Sequence, residues 1–179
     1  MKMRMAALPA LVVATCAGLA QADFIREVAS GTFEVTSDDG FTRTMSNDLV
    51  VLSEIGGWGI LSISADTEQT FQAGADTFSG TATFQGAGVD DMIVISLTGT
   101  ADGQDGQQNF SFSGLWETVS ASGTYEGLTG SGDFSGSAYF TADDSGVVDM
   151  IFQGDLVPTP ATASLMVLGG LAATRRRRA

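Results

Sequence analysis

Apolar residues recur at every second position along most of this chain, and glycine often follows a large apolar residue on the same face. A period of two is typical of a β-strand with one buried face. No segment between residues 23 and 157 has a convincing helical period, so the sequence predicts an all-β domain. The predicted inward faces are Ala29/Gly31/Phe33/Val35, Phe78/Gly80/Ala82/Phe84, Ile93/Ile95/Leu97/Gly99, Phe110/Phe112/Gly114/Trp116, Phe134/Gly136/Ala138/Phe140 and Val148/Met150/Phe152/Gly154/Leu156.

The recurring glycines predict a strongly curved sheet. Glycine weakens a flat strand, but on an inward face it lets a sheet bend where side chains would collide. The pattern therefore favours a single antiparallel barrel, or a tight sandwich, of about eight to ten strands. Five Phe-x-Gly copies carry it: Phe78–Gly80, Phe84–Gly86, Phe112–Gly114, Phe134–Gly136 and Phe152–Gly154. The predicted strands cover residues 25–36, 41–54, 58–65, 68–73, 77–85, 92–100, 108–119, 121–126, 132–141 and 147–156.

Residues 123–136, which read GTYEGLTGSGDFSG, resemble the glycine-rich hairpin of small β-barrels of the allene oxide cyclase and dirigent kind. The resemblance covers this segment alone. It implies barrel architecture and carries over no catalytic residue.

The first 22 residues are typical of a secretory signal peptide. Lys2 and Arg4 supply a positive start, the run from Ala6 to Leu19 is apolar, and Ala20 and Ala22 bracket a small-x-small cleavage site. We expect signal peptidase to cut after Ala22. The single cysteine, Cys16, lies inside this segment, so no disulfide or thiol nucleophile is expected after cleavage.

The domain between the two ends is very acidic. All 21 acidic residues of the chain lie between Asp23 and Asp155, against two basic residues, Arg26 and Arg43, so the formal net charge of this region is −19. Such a surface repels nucleic acid and anionic membranes, and it attracts cations. We therefore expect no nucleic-acid partner, and the charge is equally suited to solubility alone.

The C-terminal segment combines a proline motif, an apolar stretch and a basic cluster. The motif is Val157-Pro158-Thr159-Pro160, the apolar stretch runs over 163–173, and Arg175, Arg176, Arg177 and Arg178 follow. The arginines are expected to stay on the cytoplasmic side while a short membrane helix holds the motif at the outer face. This tail resembles the PEP-CTERM signal, whose usual motif is Val-Pro-Glu-Pro, with Thr159 in place of the glutamate. The resemblance implies processing by an exosortase-type membrane protease, and a surface or matrix protein of Gram-negative bacteria.

Catalytic chemistry has little support in this sequence. A histidine general base is absent, and lysine and cysteine are absent between residues 23 and 157. A carboxylate pair such as Glu117 and Glu126 resembles a glycosidase arrangement only in residue type, because acidic residues are so abundant here. We therefore predict that the chain is not an enzyme.

Calcium is the one metal for which the sequence offers candidate ligands. Asp102, Asp105 and Asn109 offer oxygen ligands on one loop, with Gly103 and Gly106 allowing tight curvature. Acidic turns at Asp38, Asp39 and Asp48, or at Asp143 and Asp144, are alternatives. The same residues also suit ordinary Asp-Gly turns, and the pattern favours that interpretation. No cofactor is otherwise expected.

The sequence thus predicts a signal peptide at 1–22, a β-barrel or β-sandwich domain at 23–156 and a sorting tail at 157–179. The predicted function is a structural or adhesive role at the cell surface or in the extracellular matrix of a biofilm, with exopolysaccharide as a candidate partner. The alternative is a barrel that binds carbohydrate or a small apolar ligand. Trp58, beside three glycines, is either a sugar platform or rim packing, and packing is favoured for both Trp58 and Trp116.

Overall fold

The computed structural model describes residues 22–71, 76–102 and 109–158, which form one closed barrel of eight strands. Every strand is antiparallel to both neighbours in sequence order, and β8 pairs with β1 to close the barrel. The prediction of an all-β fold is confirmed, and the barrel rather than the sandwich is the architecture. Within the described ranges no helix is long and apolar enough to cross a membrane. The strands are β1 Asp23–Asp38, β2 Thr42–Ile55, β3 Ser62–Thr70, β4 Asp76–Gln85, β5 Met92–Asp102, β6 Asn109–Ser122, β7 Leu128–Ala142 and β8 Ser145–Pro158.

The up-and-down order gives the barrel two distinct ends. At one end of the barrel β1 begins and β8 ends, and the hairpin connections β2–β3, β4–β5 and β6–β7 lie there as well. We call this the terminal end. The opposite, far end carries the β1–β2 turn at Asp39–Phe41 and the β7–β8 turn at Asp143–Asp144. The β6–β7 connection contains a single 3-10 turn, Gly123–Tyr125.

The predicted inward faces fill the interior. All six alternating faces point inward, as predicted, with their apolar members buried or partly buried. Phenylalanine rings from different strands contact one another: Phe78 and Phe112 stack with centroids 4.8 Å apart, and Phe84 meets Phe152 edge to face at 5.0 Å. Such ring pairs add about 0.5–1.5 kcal/mol beyond the area they bury. Trp116 is buried within this core, as predicted.

The inward glycines allow strands to approach closely and rings to lie on the backbone. Gly132 and Gly154 are directly paired across β7 and β8, and a Cβ built on Gly154 would overlap the Ser131 carbonyl and lie 2.7 Å from Trp116 Cζ2. The Trp116 indole N–H donates to the Gln153 carbonyl at 3.0 Å, which fixes the ring over this glycine pair. The Gly99–Gly114 pair across β5 and β6 is equally tight.

Bulges provide the remaining curvature. The register shifts at Val28/Ala29, where β2 carries the extra residue Leu52, and at Val94/Ile95, where β6 carries the extra residue Val119. An unpaired residue bends its strand and increases the local twist, which helps a sheet close on itself.

Two of the predicted strand divisions are wrong. The sequence predicts two strands at 58–65 and 68–73, whereas the structure has one strand, β3 (Ser62–Thr70), because polar Thr67 and Gln69 continue its inward alternation. Residues 121–126 were predicted as a strand, but β6 ends at Ser122 and the 3-10 turn follows. Gly123 has φ +64°, which interrupts an extended strand.

We predict that replacing Gly154 with valine destabilises the barrel by about 3 kcal/mol and lowers Tm by about 10 °C, because the new side chain must displace Trp116 or β7. Ser135→Val, at an exposed strand position of β7, is the matched control. Thermal melts by circular dichroism compare the two. Equal melting temperatures for Gly154→Val and wild type would remove the close-approach explanation of the glycines.

Candidate functional site

Both ends of the described domain lie side by side at the terminal end. Ala22 is the first described residue, and Asp23 opens β1 opposite Leu156 of β8. The first two residues of the predicted sorting motif belong to the barrel itself: Val157 pairs with Thr129, and Pro158 with Leu128. Strand β8 therefore extends two residues into the predicted tail. The other predicted sorting and cleavage residues, Ala20, Thr159, Pro160 and Arg175 to Arg178, lie outside the described residues.

Three connections are tied together at the terminal end. The Tyr125 hydroxyl donates to the Trp58 carbonyl at 2.8 Å, and Glu54 accepts a hydrogen bond from the Gly59 N–H at 2.7 Å. Asp91 accepts hydrogen bonds from the backbone N–H groups of Thr124 at 2.8 Å and Gly88 at 2.9 Å. The hydrogen bond from Thr124, above all, holds the pKa of the Asp91 carboxyl below its usual value. These contacts close the terminal end over the core.

A buried acid lies beneath this closure. Glu27 faces inward on β1 and is fully buried, and neither of its carboxyl oxygens has a hydrogen-bond partner among the described residues. Its neighbour across the sheet is Glu54 of β2. Burial, and secondly the charge of Glu54, raise the pKa of Glu27 to about 8. Burial likewise raises the pKa of Tyr125, with Asp91, Glu54 and Glu27 contributing.

Glu27 and Tyr125 were not singled out from the sequence. The signal for Glu27 was present, because it shares the inward parity of Ile25 and Ala29 on β1 and so places an acid where an apolar residue belongs. Nothing in the local pattern marks Tyr125, whose role depends on a connection 67 residues away.

A small cavity lies in the part of the barrel interior that the structure describes. The described lining encloses a cavity of about 10 Å³ between Phe33, Met45, Asn47, Thr67, Phe78, Phe110, Phe112, Ala138, Val148 and Met150. A volume of this size matches one water molecule. The Asn47 side-chain amide already donates to the Ala65 carbonyl at 3.0 Å and the Thr67 hydroxyl at 3.1 Å.

An open furrow crosses the outer wall instead. One part, about 490 Å³, crosses strands β6, β7, β8 and β1, and a second part of about 380 Å³ continues over β5. Small outward serines form its floor, and both parts share Leu115 and Asp133. Its side chains offer a guanidinium, a carboxylate, an amide and hydroxyls beside apolar carbon. The lining of the first part is Arg26, Ser113, Gly114, Leu115, Asp133, Phe134, Ser135, Ile151 and Gln153.

The predicted calcium loop is only partly described. Asp102 ends β5 and Asn109 begins β6, both exposed, while Asp105 lies outside the described residues. Over 22–71, 76–102 and 109–158, no group of three or more acidic, histidine or cysteine residues could hold a metal ion. At the alternative β1–β2 turn, Asp38 pairs with Arg43 at 2.7 Å, and Asp39 accepts hydrogen bonds from the N–H groups of Phe41 and Thr42. Those two carboxylates stabilise the turn.

The two acids of the carboxylate pair are not brought together as a pair. Glu117 is exposed on β6 and lines the second part of the furrow, whereas Glu126 is exposed just after the 3-10 turn. Trp58 is half-buried and packs against the core, so rim packing, the favoured prediction, is confirmed.

Comparison with known proteins does not assign the chain to a family. No protein-family model matches the chain, and no curated protein matches it.

Proposed function

We propose that this chain is an exported protein, released to or held at the cell surface or in the extracellular matrix, with a structural or adhesive role. A signal peptidase removes residues 1–22, the tail tethers the barrel briefly in the inner membrane, and an exosortase-type protease then processes the motif. One observation carries the proposal: β1 and β8 are neighbours, so the predicted cleavage site after Ala22 and the start of the predicted tail lie at the same end of the barrel.

The tight packing of the described core supports a structural or adhesive role over storage of an apolar ligand. A barrel that carries such a ligand needs a cavity of several hundred Å³, whereas the cavity between the described core residues is about 10 Å³. The strongly acidic composition keeps the exported protein soluble. Other molecules would then contact the outer wall and the turns of the barrel.

Two probes test the proposed processing in the native host. A serum raised against the barrel follows the domain, and an epitope tag after Ala179 follows the tail; a tag before Val157 would interrupt β8. We expect the serum to detect a protein shorter than the precursor outside the inner membrane, without the C-terminal tag. If serum and tag remain together on one full-length membrane protein, the tail is a permanent anchor and the processing proposal is wrong.

Binding of a sugar chain along the outer furrow is the second candidate function. The furrow is long and open, and its planar Arg26, Asp133 and Gln153 side chains suit vicinal hydroxyls while Leu115 and Ile151 suit a sugar's C–H face. We expect a neutral glucan such as dextran to retard the barrel in affinity electrophoresis. The double variant Asp133→Ala/Gln153→Ala should weaken this retardation at least tenfold. Asp149→Ala, an exposed β8 residue outside the furrow, gives a one-charge control. Equal retardation of all three proteins, or none of wild type, would dismiss the furrow.

A further inference from the structure

Exposed apolar side chains border the terminal end of the barrel. Phe24, the second residue of β1, is 50% exposed, and Ile55, the last residue of β2, is 51% exposed. Leu61, just before β3, is 57% exposed, and Val89, in the β4–β5 turn, is 85% exposed. We call these four residues the apolar rim. Large apolar residues of similar exposure also lie elsewhere on the described wall, but these four come from neighbouring strand ends and connections at one end of the barrel, where they can act together as a contact surface.

The rim extends over about half of the circumference. Its members belong in turn to β1, β2, the start of β3 and the β4–β5 turn, which are consecutive around the barrel. Phe24 and Ile55 lie beside each other, since Arg26 pairs with Ile55 and a Cβ built on Gly56 would lie 2.8 Å from the Phe24 carbonyl oxygen. The Leu61 N–H donates to the Gln85 carbonyl at 2.8 Å, which fixes Leu61 beside the end of β4.

The position of the chain's end identifies what covers the rim. Leu156 is buried, and Val157 and Pro158 are paired with β7, so the chain is held in the barrel up to Pro158. The apolar stretch begins at Ala163. An extended chain advances about 3.5 Å per residue, so Ala163 is at most about 18 Å from Pro158. A tail inserted in a bilayer therefore keeps the terminal end of the barrel within about 18 Å of the hydrocarbon core, so this end faces the lipid surface.

We propose that the apolar rim is a lipid-contacting surface that seats the barrel, terminal end down, on a zwitterionic membrane while the tail is inserted. This inference rests on the proposed tail tether. Exposed acids near the rim, Asp23, Asp90 and Glu126, oppose an anionic surface, which selects zwitterionic lipids. Half-buried Trp58 lies in the β2–β3 connection at the same end, the kind of residue that favours the membrane interface. Binding of the rim to lipid is weak by itself. The inserted tail strengthens this binding because it keeps the rim close to the membrane surface.

Trp58 provides the measurement, because the other tryptophan, Trp116, is buried in the core. The chain from Asp23 to Ala179 is reconstituted in phosphatidylcholine vesicles with and without brominated lipid, which quenches nearby indoles. We expect brominated lipid to reduce the Trp58 emission at least twofold, and the reduction to disappear in Trp58→Phe. The quadruple variant, with serine at Phe24, Ile55, Leu61 and Val89, should lose most of the quenching. The control variant Phe41→Ser, which changes a 74% exposed residue at the far end, should keep it. If the quadruple variant fails to fold, the single variant Val89→Asp, in an exposed turn, replaces it and should also reduce the quenching.

A second probe separates failure of the rim from failure of the tether. The chain from Asp23 has no cysteine, so Leu168→Cys carries a single environment-sensitive dye in the apolar stretch. A buried dye together with rim-dependent quenching supports the inference. A buried dye with unquenched Trp58, or with quenching that the rim variants leave unchanged, overturns the rim and leaves the tether intact. A dye that stays in water contradicts the tether, and the inference falls with it. Rim-dependent Trp58 emission in the absence of lipid would mean that the tail itself covers the rim, which also overturns the inference.

Discussion

Replacing Glu27 with glutamine is expected to abolish most of the pH dependence of barrel stability between about pH 4.5 and pH 8. In the folded barrel the Glu27 carboxyl has a pKa of about 8, against 4.5 as its ordinary value. Between these values the folded protein holds a proton that the unfolded chain has released. The free energy of unfolding therefore falls as the pH rises through this window, and it levels off above pH 8.

The size of this effect is large for one residue. Each unit of pKa difference corresponds to about 1.4 kcal/mol, so the full window of about 3.5 units corresponds to a loss on the order of 5 kcal/mol. The acids whose pKa is lowered, Asp38, Asp39 and Asp91, act in the opposite sense and at lower pH. Their stabilisation is lost as the pH falls through their folded pKa values, so it does not obscure the Glu27 window.

Urea unfolding of residues 22–158 at pH 5, 6.5 and 8.5 measures this difference. Wild type and Glu27→Gln should have similar unfolding free energies at pH 5, and the variant should be the more stable by several kcal/mol at pH 8.5. Glu34→Gln, an exposed position on the same strand, is the control and should follow wild type throughout. A pH profile of Glu27→Gln that parallels wild type would show that this carboxyl is ionised in the barrel at neutral pH.

The second large effect concerns the C-terminal arginines. Changing Arg175, Arg176, Arg177 and Arg178 to serine is expected to release most of the protein from the inner membrane with its tail still attached. The apolar stretch at 163–173 is shorter than the roughly 20 residues that span a bilayer comfortably, so the positive charges are needed to hold it. Without them the tail passes through and never presents its motif to the membrane protease.

Cell fractionation with the barrel serum and the tag after Ala179 follows this change. Replacing the same four arginines with lysine keeps the charge and should keep the wild-type pattern. Serine and lysine variants that behave alike would mean that charge does not retain the tail, and the sorting interpretation of residues 157–179 would lose its physical basis.

The sequence was informative about the barrel wherever alternation was apolar. Phe110, Phe112, Gly114 and Trp116 defined a face that the structure places inward, and the inward glycines correctly indicated curvature. Strand β3 was divided in two because Thr67 and Gln69 occupy inward positions without an apolar signal. A local pattern can identify a strand by its buried apolar residues, and it fails where polar residues pair with each other in the interior.

The terminal end could not be derived from local patterns. Glu27 depends on Glu54 across the sheet, Tyr125 on the Trp58 carbonyl, and the apolar rim on the proximity of four separate connections. Each is a product of which strands become neighbours when β8 closes on β1. The furrow on the outer wall has the same origin, because its lining comes from five strands whose polar side chains look like ordinary solvent-facing residues in the sequence.

Intact-mass analysis of the protein recovered from the surface or medium of its native host tests whether both flanking segments are removed. We expect a single chain that begins at Asp23 and ends near Pro158-Thr159-Pro160, which is the barrel alone. A mature protein that still carries Lys2 and Arg4, or one that ends at Ala179, would contradict it.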